Sequence, residues 1–87
     1  MEKIVIEAIS SECGMFKPGD RIYIDGALVD KEKSSKICLM ALQSFFPYIY
    51  ALRKGVTGKE MSFDEQILVQ CPDHCGSTVF ELRKEDW

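Results

Sequence analysis

Four cysteines carry most of the chemistry available to this chain, and two of them share a short stretch, Cys71-Pro72-Asp73-His74-Cys75, with an imidazole and a carboxylate. No other segment is as dense in ligands. Thiolate sulfur and imidazole nitrogen are the donors that zinc, copper(I) and iron–sulfur clusters prefer. A turn after a strand lets such side chains converge, and Pro72 narrows the backbone freedom there. The spacing between Cys71 and Cys75 departs from the tighter knuckle of most structural zinc sites. Cys13 precedes Gly14 on a loop after a strand-like segment, and Cys38 falls in the first turn of a helical segment, where the dipole favours a thiolate. The candidate metal ligands are therefore Cys13, Cys38, Cys71 and Cys75, with His74 as an alternative fourth. Such a site closes only if the end of the first strand, the helix start and the last hairpin meet at one edge of the fold.

Each of these residues also has a plainer reading. A free cysteine packs as a small hydrophobe, and Cys38 between Ile37 and Leu39 suits a core. His74, the single histidine, reads equally as a solvent-facing turn residue, and Asp73 as a turn former. A thiol enzyme with Cys71 or Cys75 as nucleophile and His74 as base is a third reading. Against it, the chain has no second carboxylate–histidine pair, no phosphate-cradling glycine loop and no cofactor fingerprint. The balance is against an enzyme.

The elements that must position these residues are short. Residues 2–9 alternate as a strand, with Ile4, Ile6 and Ala8 on one face. Lys17-Pro18-Gly19-Asp20 has the proline and glycine of a type II turn, leading into a second strand over 21–25. Asp25-Gly26 then reverses the chain toward the apolar Ala27-Leu28-Val29. Ser34 or Ser35 is suited to cap a helix that runs past Pro47, with a kink or restart there, to Arg53, Lys54 and a terminating Gly55. Residues 56–66 read as a loop with one short turn around Met61 and Phe63, and 67–71 and 78–83 as a second hairpin. The expected fold is α+β: one domain over 1–87, with a small antiparallel sheet of four or five strands and one long, Pro-kinked helix packed on one face.

Composition narrows the partners. The chain is 46% hydrophobic and 29% charged, so it is not a disordered sequence. Eleven Lys and Arg against fourteen Asp and Glu, with no basic run, exclude nucleic acid as the expected partner. The first residues lack the cationic start and apolar stretch of a secretory signal, which points to the cytoplasm and to reduced thiols rather than disulfides. The apolar stretch over 37–52 is broken by Gln43, Ser44 and Pro47 and falls short of the roughly 20 residues that span a bilayer, so no membrane association is expected. Phe45, Phe46, Tyr48 and Tyr50 crowd around Pro47 and cannot all face one side of a helix. Exposed aromatics of that kind mark a protein partner or a second copy of the chain.

Cys13-Gly14 followed by Phe16 and Gly19-Asp20, Cys38 with Ala41, the stretch from Phe46 to Arg53, and Cys71-Pro72-Asp73 followed by Val79-Phe80-Glu81-Leu82 occur here in that order. In this the chain resembles a family of similarly short bacterial and archaeal proteins to which no reaction is attached. The resemblance implies that Cys13, Cys38 and Cys71 belong to the family pattern and that Cys75 is peculiar to this chain. It also implies proline where Leu39 stands here, so the backbone after Cys38 is expected to differ. A three-cysteine set suits an iron–sulfur cluster with an exchangeable fourth ligand, or a zinc site completed by His74.

Two functions follow as expectations. The first is a small cysteine-ligated iron–sulfur or zinc protein with an accessory or electron-transfer role. The second is a metal-free interaction module or small subunit that docks through the aromatic segment around Pro47 and the loop over 56–66.

Overall fold

A computed structural model describes residues 2–12, 14, 16–34, 37, 39–61, 63, 66–71 and 78–86. The elements run β1 (Glu2–Ser11), β2 (Arg21–Asp25), β3 (Leu28–Asp30), α1 (Leu39–Arg53), β4 (Ile67–Gln70) and β5 (Thr78–Asp86). The five strands form one sheet in the order β3-β2-β1-β5-β4, with every neighbouring pair antiparallel. The architecture is thus α+β, with the long terminal strands β1 and β5 side by side at the centre.

Local chemistry fixes the reversals. Asp20 donates its N–H to the Lys17 carbonyl at 3.0 Å, and Gly19 takes a φ of 98°, the left-handed value that a type II turn needs at its third position. Gly26 stands first of the two residues between Asp25 and Leu28 with a φ of 63°, which matches the twist of a tight hairpin. At the helix end, Val56 N–H reaches the Ala51 carbonyl at 3.0 Å and Gly55 N–H the Leu52 carbonyl at 3.1 Å. That is a Schellman motif with Gly55 at its left-handed position.

One of the two serines expected to cap the helix is engaged elsewhere. Ser34 does not cap it: its Oγ donates to the Asp30 carbonyl at 2.6 Å and accepts the Tyr23 N–H at 2.9 Å, tying the end of β3 back to β2. The Tyr23 amide needs an acceptor, and the Ser34 hydroxyl is already turned toward it. Ser35 lies outside the described residues. Among the described residues the helix runs Leu39–Arg53 and continues through Pro47 without a restart.

One face of the sheet carries the core. Ile4, Ile6 and Ala8 of β1, Ile22 and Ile24 of β2, Ile67 and Val69 of β4, and Phe80 and Leu82 of β5 are buried together with Ala41, Phe45 and Leu52 of the helix. Phe80 lies at the middle, edge-on to Phe45 at 4.8 Å and to Phe16 at 5.1 Å between ring centroids. The opposite face is a layer of ion pairs. Arg83 meets Glu7 at 2.8 Å, Glu81 at 2.9 Å and Glu85 at 2.8 Å, while Arg21 reaches Glu7 at 3.2 Å. Val5 is 0% exposed on this face because the register sets it between Tyr23 and Arg83, whose long side chains shelter it.

The connection from α1 to β4 is pinned at its first turn. Thr57 and Glu60 form a capping box, the Thr57 N–H reaching Glu60 Oε1 at 3.0 Å and the Glu60 N–H reaching Thr57 Oγ1 at 3.1 Å. Gly58 is needed here for space: a Cβ at that position would stand 2.8 Å from Ile67 Cγ1. Gly58→Ala is therefore expected to cost about 1–2 kcal/mol, overpacking outweighing the smaller gain from a stiffer unfolded chain. Urea unfolding measures it, and a stabilised variant would contradict the packing described.

Candidate functional site

The aromatic segment divides as its crowding requires. Phe45 is fully buried and Tyr48 is half-buried against Phe63, with ring centroids 5.5 Å apart. Phe46 and Tyr50, one helical turn apart, are 66% and 52% exposed, with their rings 6.3 Å apart.

What surrounds the helix differs between its two flanks. Toward β4, the space between helix and sheet is filled by Met61 and Phe63 from the connecting loop, packed against the core. Toward β3, no comparable segment among the described residues fills it. The result is a groove of about 250 Å³ whose walls are Ile24 and Val29 on the hairpin and Leu42, Phe46, Ile49 and Tyr50 on the helix. A second hollow of about 220 Å³ shares Ile24, Gly26 and Arg53 with the first and continues it toward Lys3, Asp25 and Lys84. The two form one trough, apolar along the helix and cationic at its end.

Of the residues singled out for metal chemistry, Cys71 is described. It is 9% exposed and belongs to the core cluster that also holds Phe16, Ala41 and Phe80. Its N–H donates to the Thr78 carbonyl at 2.9 Å, which closes the β4–β5 ladder. Cys13, Cys38, His74 and Cys75 lie outside the described residues, as does the connection over 72–77. Among the described residues no group of three His, Cys, Asp or Glu side chains is arranged to hold a metal ion.

The backbone around these positions nevertheless has a clear polarity. Ser11 at the end of β1 stands opposite Thr78 at the start of β5, their hydroxyls 3.0 Å apart, and Cys71 at the end of β4 bonds the same Thr78. The helix ends at Arg53 beside Lys3, Ile4 and Lys84, which is the other end of the sheet. Its first residue, Leu39, therefore lies toward the Ser11–Thr78 end, about 20 Å from Arg53 at the helical rise.

The fold and the trough define a small α+β domain with an open apolar surface on one flank of its helix. Compared with known proteins, the sequence matches no family model, and no curated protein or solved structure is significantly similar to it. No helix among the described residues is long and apolar enough to cross a membrane.

Sequence reasoning pointed to exposed aromatics around Pro47 and to Arg53 at the helix end, but missed the hairpin wall and the approach of Lys3 and Lys84. A signal for the wall was available in Ile24 and Val29, strand residues that the register places opposite each other.

Proposed function

We propose that this protein is an interaction module that docks a protein partner through the trough between α1 and the β2–β3 hairpin. The observation that carries the reading is the exposure of Phe46 and Tyr50 above an apolar floor, where large aromatic side chains gain most by being covered. A bend at Pro47, whose ring denies the Gln43 carbonyl its helical donor, belongs to this reading. A photoreactive benzoyl group placed at position 46 in the living cell is expected to crosslink one protein species reproducibly. The same group at exposed Lys31 is expected to give none of that product. An identical pattern from both positions would sink the proposal.

A second reading, the cysteine-ligated metal site, is supported by the way the ends of β1 and β4 meet at Thr78, with the start of α1 at that end of the sheet. These are the segments that precede Cys13 and Cys75 and follow Cys38. Cys13, Cys38 and Cys71 would supply three thiolates to iron–sulfur or zinc, with His74 or Cys75 as the fourth ligand. A bound metal also suits a domain this small, whose core alone leaves little surplus stability. Anaerobic, tag-free protein is expected to carry stoichiometric iron with a broad visible band, or stoichiometric zinc without one. Cys71→Ser is expected to lose it. A folded, metal-free protein removes this reading and leaves the docking module standing.

A further inference from the structure

The trough carries information about the charge of what it binds. The chain as a whole has a net charge of −3, yet among the described residues that line the end of the trough Lys3, Arg53 and Lys84 stand against one carboxylate, Asp25. Asp25 is already engaged by Lys3 at 3.5 Å. Arg53 and Lys84 make no ion pair with any described residue. Lys54 adds a further cation at the rim, 5.5 Å from the centre of the Tyr50 ring. A helix C-terminus accounts for Arg53 and Lys54, since cations there meet the negative end of the macrodipole. It does not account for Lys84, which comes from β5, opposite Ile4 on the helix-bearing face.

Shape decides against a buried small molecule. Small-molecule pockets enclose most of the ligand's surface, whereas both hollows of this trough lie open. A trough of this size takes a few side chains from a larger body. Resting on the docking reading above, we infer that the occupant is an acidic amphipathic segment of another protein. Its apolar side chains lie between Val29, Phe46 and Tyr50, and its carboxylates reach Arg53 and Lys84. Apolar contact supplies the attraction along the helix, and the two cations fix the direction of the segment and exclude basic competitors.

Selection of a displayed library of random twelve-residue peptides against the full chain tests this directly. Enriched peptides are expected to combine Leu, Ile, Phe or Trp with Asp or Glu. Their affinity is expected to fall about tenfold on Arg53→Gln or Lys84→Gln, and to weaken as salt rises. Both positions are exposed, so the variants fold. Apolar peptides without acids, lost on the Phe46→Ser, Tyr50→Ser double variant but indifferent to Arg53→Gln and Lys84→Gln, would overturn the charge assignment and leave the docking surface intact. Peptides that ignore the double variant would overturn both. Sedimentation of the same proteins completes the test: self-association abolished by the double variant would make the occupant a second copy and overturn the inference.

Discussion

Phe80→Ala is expected to cost about 3–5 kcal/mol, the usual toll for removing a fully buried aromatic ring. Phe80 is 1% exposed and is the ring on which Phe16 and Phe45 both pack edge-on, so the sheet, the β1–β2 connection and the helix lose a shared contact at once. Small domains have only about 5–15 kcal/mol in hand, and this one is near the lower end by length. The variant should therefore be largely unfolded at 37 °C, as read by far-ultraviolet circular dichroism and urea titration. Phe80→Leu, which keeps most of the volume, should recover more than half of the loss. A Phe80→Ala protein within 1 kcal/mol of the parent would mean that the core is not centred where these rings place it.

The second large effect lies on the other face of the sheet. Arg83 donates to three carboxylates, and its Arg83→Met variant would leave Glu7, Glu81 and Glu85 close together with one guanidinium, Arg21, beside Glu7. Isolated surface ion pairs contribute little, but this network is half-buried and shares one hub, so a loss of about 2 kcal/mol is expected at neutral pH. The pH dependence follows from Glu7. The Arg83 hydrogen bond, helped by the charge of Arg21, holds its carboxyl below the ordinary value of 4.5. A carboxyl with a depressed folded-state pKa contributes stability that is fully present above its unfolded value and is lost as the pH falls through the folded one. Wild type should thus lose stability below about pH 4.5. Arg83→Met should lose less over the same range, because protonation also relieves its crowded carboxylates. Urea unfolding at pH 7 and pH 3 separates the two. An equal deficit at both pH values would show that Arg83 acts only by packing over Val5.

Where the sequence was legible, the signal was local. Pro18-Gly19, Gly26 and Gly55 each demand a particular backbone, and each stands where that demand predicted a turn or a helix end. The alternation of Ile4, Ile6 and Ala8 named the buried face of β1 correctly. It could not name the partner, since alternation says which side is apolar and not which strand lies alongside; the pairing of β1 with β5 joins opposite ends of the chain. Serine suits a helix cap, which makes Ser34 and Ser35 equal candidates in the sequence, and the competing demand of the Tyr23 amide on Ser34 is visible only in three dimensions. The ion network left a trace in Glu81, Arg83 and Glu85, which alternate at the strand period. For the metal ligands, density of cysteine was legible, whereas convergence depends on side chains the described residues do not include. The trough was half legible: too many aromatics stood around Pro47 for one face, but which flank stays open depends on where the loop after the helix folds.

The register of β1 and β5 slips once, between Ala8 and Ser10, leaving Ile9 as one extra residue on β1. Below it, every apolar side chain of β1 keeps its partner on β5. Above it, Ser11 rather than Ser10 stands opposite Thr78. Loss of the single codon for Ile9 would heal the ladder and leave Ile4, Ile6 and Ala8 undisturbed, yet it would move the exit of the strand by one position. The fold would survive such a deletion more readily than any geometry built on the segment that follows, so the length of β1 is a gauge of whether that end of the sheet is used.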